Sequence, residues 1–199
     1  DDKKLVEMNI ADAKKMGASI LENTKVVNAA RVEEGWAITL DNGEIIKSKI
    51  LINAAGPWIN EIVNNVIKIN TNKSIRLVRG SHIITKKLYN EEVAFTLQNE
   101  DNRIVFVIPY KEEFSLIGTT EVDVNTPENP SISDDEKIYL INTINNYFVK
   151  QISQVDIVDT YSGIRPLIED FKEASKVTRD YVFDLSSENK KSPLLNIYG

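Results

Sequence analysis

The sequence predicts a partial α/β domain over residues 1–70, followed by an α+β, antiparallel-rich sheet domain over residues 71–199. Three observations predict this. The apolar run Ile50-Leu51-Ile52-Asn53 reads as a buried parallel strand and passes through small residues into a helical stretch. Beyond about residue 70 the texture becomes β-rich, with short apolar segments separated by polar turns. One long helix is predicted near residues 133–149, between that run of strands and a final group.

In the first part, Val6, Ile10, Ala13 and Gly17 recur at helical spacing, with acidic residues at the start suited to the helix dipole. Thr24 to Val27 and Trp36 to Leu40 read as strands, and Asp41-Asn42-Gly43 is a hairpin turn leading back into Glu44 to Lys47. After Asn53, Ala54-Ala55-Gly56-Pro57-Trp58 forms a small-residue turn, and Ile59, Ile62, Val63 and Val66 resume helical spacing. Strand, small turn and helix together read as the tail of a nucleotide-binding α/β unit.

In the second part, strands are predicted at Ile75 to Thr85, Val93 to Leu97, Arg103 to Ile108 and Phe114 to Gly118. Ser133-Asp134-Asp135-Glu136 caps the long helix, whose Ile138, Ile141, Ile144, Asn145 and Phe148 lie near one face. Further strands are predicted around Ile157 to Tyr161, Lys176 to Asp184 and Leu194 to Tyr198, and the last of them can return to the first sheet. The sequence opens on Asp1 and stops as a strand reaches a turn, so both ends read as cuts within a longer protein.

The 199 residues are 42% hydrophobic and 27% charged, as in an ordinary globular protein. The net charge of -6, from 24 basic and 30 acidic residues, argues against general nucleic-acid binding. With no cysteine, disulfides, thiolate metal sites and a thiol nucleophile are excluded, and a reducing compartment is compatible. No apolar run reaches transmembrane length, no signal-peptide pattern opens the chain, and the acidic residues form no metal-ligand cluster.

Three places carry candidate chemistry. Gly56 follows an apolar strand, where a missing Cβ lets backbone approach a dinucleotide; the bland alternative is a tight turn with Pro57 at a first helical position. No G-x-G-x-x-G occurs, so the usual diphosphate cradle is not in this sequence. His82, the single histidine, sits in Arg79-Gly80-Ser81-His82 with Arg76 and Arg79 upstream, where an imidazole of near-neutral pKa can take an alcohol proton; a lone histidine is more often structural. Arg165, in Ser162-Gly163-Ile164-Arg165-Pro166, is either a bidentate phosphate ligand or one half of an ion pair with Glu169 or Asp170. Gly118-Thr119-Thr120 reads first as a turn with satisfied hydroxyls, Arg179-Asp180 as an ion pair, and Trp36 and Trp58 as packing residues.

Taken in order, Asn53-Ala54-Ala55-Gly56-Pro57-Trp58, Arg79-Gly80-Ser81-His82-Ile83, Gln98-Asn99-Glu100-Asp101, Val105-Phe106-Val107-Ile108-Pro109-Tyr110, Ile117-Gly118-Thr119-Thr120, Tyr161-Ser162-Gly163-Ile164-Arg165-Pro166-Leu167 and Thr178-Arg179-Asp180-Tyr181 resemble the aerobic, FAD-dependent glycerol-3-phosphate dehydrogenases over essentially the whole chain. The departures are small: Arg79 stands where that family often has Lys, and Ala55 where Thr is common.

The resemblance implies a partial FAD-binding, Rossmann-like portion followed by a substrate-binding sheet domain. It implies oxidation of glycerol 3-phosphate to dihydroxyacetone phosphate, with FAD as cofactor and the quinone pool as electron acceptor. By the same resemblance His82 is the base or hydroxyl-orienting group, and Arg165 clamps the substrate. Gly163 and Ile164 pass the flavin ring, Val26 meets the adenine end, and Ala54, Ala55 and Gly56 line the cofactor. The implied location is cytoplasmic, with the intact enzyme peripheral on the inner membrane. Without the diphosphate cradle, this chain alone is expected to be inactive and not to retain FAD. Two alternatives stay open: another amine or amino-acid oxidase of the same flavin superfamily, and a non-catalytic assembly domain.

Overall fold

The structure, a computed structural model, describes residues 2–71, 73–169, 180–186 and 191–199. Arg179, Thr178 and Asp170, and with them residues 176–179 of the strand expected at 176–184, lie outside the described residues.

Helix α1 (Asp2–Lys15) carries Asp2 in its first turn and Lys14 and Lys15 in its last, a charge order that complements the helix dipole. Its apolar side, with Leu5, Val6 and Met8, buries nothing against the described parts of the chain. Strands β1 (Val26–Val32), β2 (Gly35–Leu40) and β3 (Ile45–Ser48) follow as an antiparallel sheet. The expected turn at Asn42-Gly43 joins β2 to β3: Gly43 N–H donates to Leu40 O (3.0 Å) and Leu40 N–H to Glu44 O (2.9 Å). Trp36, Ile38 and Leu40 bury one face of this sheet against Val66, Ile67 and Leu194.

Strand β4 (Leu51–Asn53) runs into a 3-10 turn at Gly56–Trp58, then α2 (Ile59–Glu61) and a wider helical turn at Ile62–Ile67. That helical stretch buries Ile59, Val63, Val66 and Ile67, as their spacing requires. It stops where Lys68 adopts a left-handed conformation.

The six-stranded sheet dominates the second part. Its order is β10 (Ile157–Ile168), β5 (Ile75–Lys86), β8 (Phe114–Gly118), β7 (Ile104–Tyr110) and β6 (Phe95–Gln98), with β9 (Val122–Val124) also on β5. All its pairings are antiparallel. β10 is longer than its expected span of 157–161, because the Ser162-Gly163-Ile164-Arg165-Pro166 segment continues the ladder against β5. Helix α3 (Asp134–Tyr147) covers one face, packing Leu140, Ile141 and Ile144 against Ile83, Val105, Val107 and Ile117. Ile138, expected on that buried face, is 45% exposed; Leu140 takes the inward position instead.

The expected division at residue 70 differs from the arrangement in space. β12 (Leu194–Tyr198) lies parallel to β4, with Asn196 opposite Asn53, and β11 (Val182–Ser186) pairs with β12. The last strands therefore sit in a sheet with the first part, not in the sheet that precedes them in sequence. β4 is parallel as expected but buried on one side only: Asn53 is buried, whereas Ile52 is 57% exposed.

Candidate active site

The site builds up from the alternation of β5. Side chains at even positions of a strand share one face. Ser81 and Ile83 therefore point toward α3, while Gly80 and His82 face the opposite, open side. On that open side, the register places Phe106, Gly118, His82 and Tyr161 in one row across four strands. Gly163 lies beside Gly80, and Arg165 beside Val78, on the same face.

Two glycines make room for the two candidate side chains. A Cβ on Gly118 would collide with the His82 ring. A Cβ on Gly80 would stand 2.6 and 2.7 Å from the Arg165 guanidinium nitrogens and 2.7 Å from Thr119 Oγ1. The guanidinium thus lies over Gly80 of β5, with Nη2 donating to Thr119 Oγ1 at 3.1 Å. The imidazole is stacked on Tyr161, with ring centroids 4.6 Å apart and planes within 7°. Its buried Nδ1 has no hydrogen-bond partner among the described residues. Burial, and next the Arg165 charge, lower the His82 pKa from 6.5 to about 4. At neutral pH the imidazole is uncharged and able to accept a proton.

The structure brings His82 and Arg165 to one face without Arg79, and Arg76, which shares that face by strand alternation, is engaged by Asp123. Arg79 points to the closed face and pairs with Glu136 (2.6 Å), and Arg76 pairs with Asp123. The arginines that strengthened the case for His82 in the sequence therefore serve other partners. Thr119 and Thr120 have satisfied hydroxyls, as the simpler reading held: Thr119 Oγ1 donates to Thr120 O and Thr120 Oγ1 to Glu136. Ile164 is opposite Arg79 in register, so its side chain faces away from Gly163 and Arg165; only its backbone can meet a ligand on the open face. Sequence reasoning missed Tyr161 as the stacking partner of His82, and Gly80 and Gly118 as the residues that make room. The Gly-x-His alternation on β5 was the available signal.

The second group of candidates gathers at the end of β4. Ala54 and Ala55, with Val26, Leu51, Ile62 and Val66, line an apolar cavity of about 190 Å³. Asn53 shapes this turn from a buried position. Its Nδ2 donates to Asn196 Oδ1 (3.1 Å) and Ile59 O (3.4 Å), while its Oδ1 accepts from Ala55 N–H (3.4 Å). Gly56 has φ +53 and open space where a Cβ would stand. Trp58, expected to pack, is instead partly exposed and donates from Nε1 to Glu128 Oε1 (2.8 Å). The Gly56–Trp58 turn packs against β10, which carries Gly163, Ile164 and Arg165, so the two groups of candidates are joined directly. An apolar cavity and a Cβ-free turn at the carboxyl end of a parallel strand fit a dinucleotide cofactor such as FAD.

A family model described as FAD dependent oxidoreductase matches residues 1–184. The chain belongs to this family. A glycerol-3-phosphate dehydrogenase from Pseudomonas aeruginosa is 40% identical over 205 residues, covering 100% of this chain and 40% of the relative. A D-erythritol 1-phosphate dehydrogenase from Brucella abortus is 39% identical over 206 residues, covering 100% of this chain and 41% of the relative. The chain thus spans about two fifths of the length of these curated relatives. Among solved structures, a glycerol-3-phosphate dehydrogenase from Bacillus halodurans complexed with FAD matches with a TM-score of 0.74 and 21% identity, over 92% of this chain and 36% of that one. At that identity the likeness speaks for the fold. Among the described residues, no helix of this chain is long and apolar enough to cross a membrane.

Proposed function

We propose that this chain supplies the substrate side of an enzyme that oxidises glycerol 3-phosphate to dihydroxyacetone phosphate. The observation that carries the proposal is the shared open face of the six-stranded sheet, where glycines seat a neutral imidazole, His82, and a guanidinium, Arg165. Arg165 binds the substrate phosphate through its planar fork. His82 accepts the proton of the C2 hydroxyl, which it can do because it is uncharged before substrate arrives. A phosphate anion on Arg165 offsets the charge that lowers the imidazole pKa, so substrate binding itself makes His82 a stronger base. Stacking on Tyr161 holds the ring in one plane as the proton arrives.

FAD, when bound, supplies the acceptor for the C2 hydride. Ala54, Ala55 and Gly56 line its path at the end of β4, Val26 serves its adenine end, and Gly163 with the backbone of Ile164 borders its ring. The reducing equivalents pass on to the quinone pool, with the intact enzyme cytoplasmic and peripheral on the inner membrane.

The test is a substrate panel on the intact enzyme: glycerol 3-phosphate, D-erythritol 1-phosphate, unphosphorylated glycerol, glycine and sarcosine. Turnover of a phosphorylated polyol, with little for glycerol, is the expected result. Preferential oxidation of an amine would overturn the proposal in favour of an amino-acid oxidase. D-erythritol 1-phosphate stands as a second reading because a relative of that name is 39% identical, and the same imidazole and guanidinium serve either polyol.

A further inference from the structure

Glu136 is 4% exposed and lies on the closed side of the sheet, against Ser81, the residue before His82. Its Oε1 accepts from Ser81 Oγ (2.8 Å) and Thr120 Oγ1 (2.6 Å). Its Oε2 accepts from Arg79 Nη2 (2.6 Å), Ser133 N–H (2.8 Å) and Ser133 Oγ (3.0 Å). Only the Ser133 contacts are needed for a helix cap. The other three leave the helix and reach the sheet.

They reach it at a gap. β8 pairs with β5 from Lys86 down to His82, and β9 pairs with it from Arg79 to Leu77. Between these ladders, at Gly80 and Ser81, Thr120 takes the place of a strand partner. Ser81 N–H donates to Thr120 Oγ1 (3.0 Å) and Thr120 N–H to Ser81 O (3.2 Å). Ser81 and Thr120 are both essentially inaccessible to solvent. Their neighbours on the open face are His82, Gly80 and Thr119, and Thr119 receives the Arg165 hydrogen bond.

We infer that Glu136 is a positioning residue for the substrate site: its carboxylate ties Ser81 to Thr120 across the break between β8 and β9, and so fixes Thr119 beneath the Arg165 guanidinium. The inference rests on the phosphate-binding role proposed for Arg165. An ionised carboxylate suits this place because every group around it donates. A glutamine can turn its oxygen to Ser81 and Thr120 only by turning its NH₂ against Arg79 and Ser133 N–H.

The test compares three variants of the intact enzyme. Glu136→Gln and Thr120→Val should each raise the KM for glycerol 3-phosphate and the Kd for inorganic phosphate by about tenfold, at near-normal flavin content, because small misplacements of a binding group are costly. Asn145→Ala breaks the pair of hydrogen bonds pinning the far end of α3 to Ile152, so it should lower the melting temperature and leave KM unchanged. If Glu136→Gln does not fold, Thr120→Val decides alone. Folded Glu136 or Thr120 variants with wild-type KM and phosphate affinity would overturn the inference and return Glu136 to the role of a helix cap. If the parent enzyme fails to oxidise glycerol 3-phosphate, the proposed function falls, while phosphate affinity still decides the positioning role.

Discussion

The two faces of the six-stranded sheet are made by the same strands and share almost nothing else. On the closed face Ile83, Val105, Val107 and Ile117 meet α3 in a packed core, and Glu136 accepts hydrogen bonds from Ser81, Thr120 and Arg79. On the open face the intervening residues are His82, Gly118 and Phe106, with Gly80, Tyr161 and Arg165 beside them. Period-two alternation thus divides the packed core from the proposed substrate site one residue at a time. A substitution at residue 82 and one at residue 83 are adjacent in sequence yet should fail in different ways.

The largest effect expected is on the open face. His82→Ala in the intact enzyme should lower kcat by about 10²–10⁴-fold, the usual worth of a general base, with flavin content near normal. His82→Gln should fail nearly as badly, since an amide does not accept the proton at neutral pH. Steady-state kinetics separate the roles: a rate restored by Gln would make His82 an orienting group, and full activity in both variants would return it to a structural role.

The neighbouring change, Ile83→Ala, should act on stability instead. Ile83 is fully buried among the core residues, and its truncation should cost about 2–5 kcal/mol with KM unchanged in the folded fraction. Denaturant unfolding of both variants gives the comparison. A His82 variant that loses as much stability as Ile83→Ala would break the division between the faces.

A smaller loss is expected at Arg165, the proposed phosphate clamp. Arg165→Ala should reduce kcat/KM by an amount equivalent to about 1.5–3 kcal/mol, and Arg165→Lys should recover only part of it. Removing this charge should also move the acidic limb of the kcat/KM profile upward, because Arg165 helps to depress the His82 pKa. Wild-type kcat/KM in both variants would remove Arg165 from the substrate site.

The smallest effect distinguishes the faces by pH. His82 titrates near 6.5 when unfolded and about 4 when folded, first because of burial and then because of Arg165. Between those values the unfolded chain binds more protons, so the stability tied to neutral His82 is present above pH 6.5 and lost as pH falls toward 4. On the closed face, burial opposes ionisation of Glu136, but hydrogen bonds from Thr120, Ser133 and Ser81 prevail and bring its pKa from 4.5 to about 2. Its contribution is present above pH 4.5 and lost as pH falls toward 2. Thermal unfolding across this range should show His82→Gln flattening the loss between pH 6.5 and 4 while leaving the loss below 4.5 in place. An identical slope in wild type and His82→Gln above pH 4.5 would show that the imidazole is not held neutral by the fold.

Much of this was legible in the sequence wherever a few neighbouring residues settle the matter. Asn42-Gly43 fits its hairpin because the turn conformation is decided within four residues. Ser133 and Glu136 close a capping box three residues apart, and the alternation of Val105 and Val107 with Phe106 and Ile108 marks a strand. The ordered motifs around His82 and Arg165 pointed to the family. Only the tertiary structure decided which partners those residues meet. Arg79 and Arg165 stand at adjacent positions of the β5–β10 register, opposite Ile164 and Val78, and that one-residue difference sends one to Glu136 and the other across Gly80. The parallel pairing of β12 with β4, sealed by Asn53 and Asn196, joins residues 143 positions apart. Local signals cannot encode such contacts, because their free energy exists only once burial and hydrogen bonding from distant strands are in place.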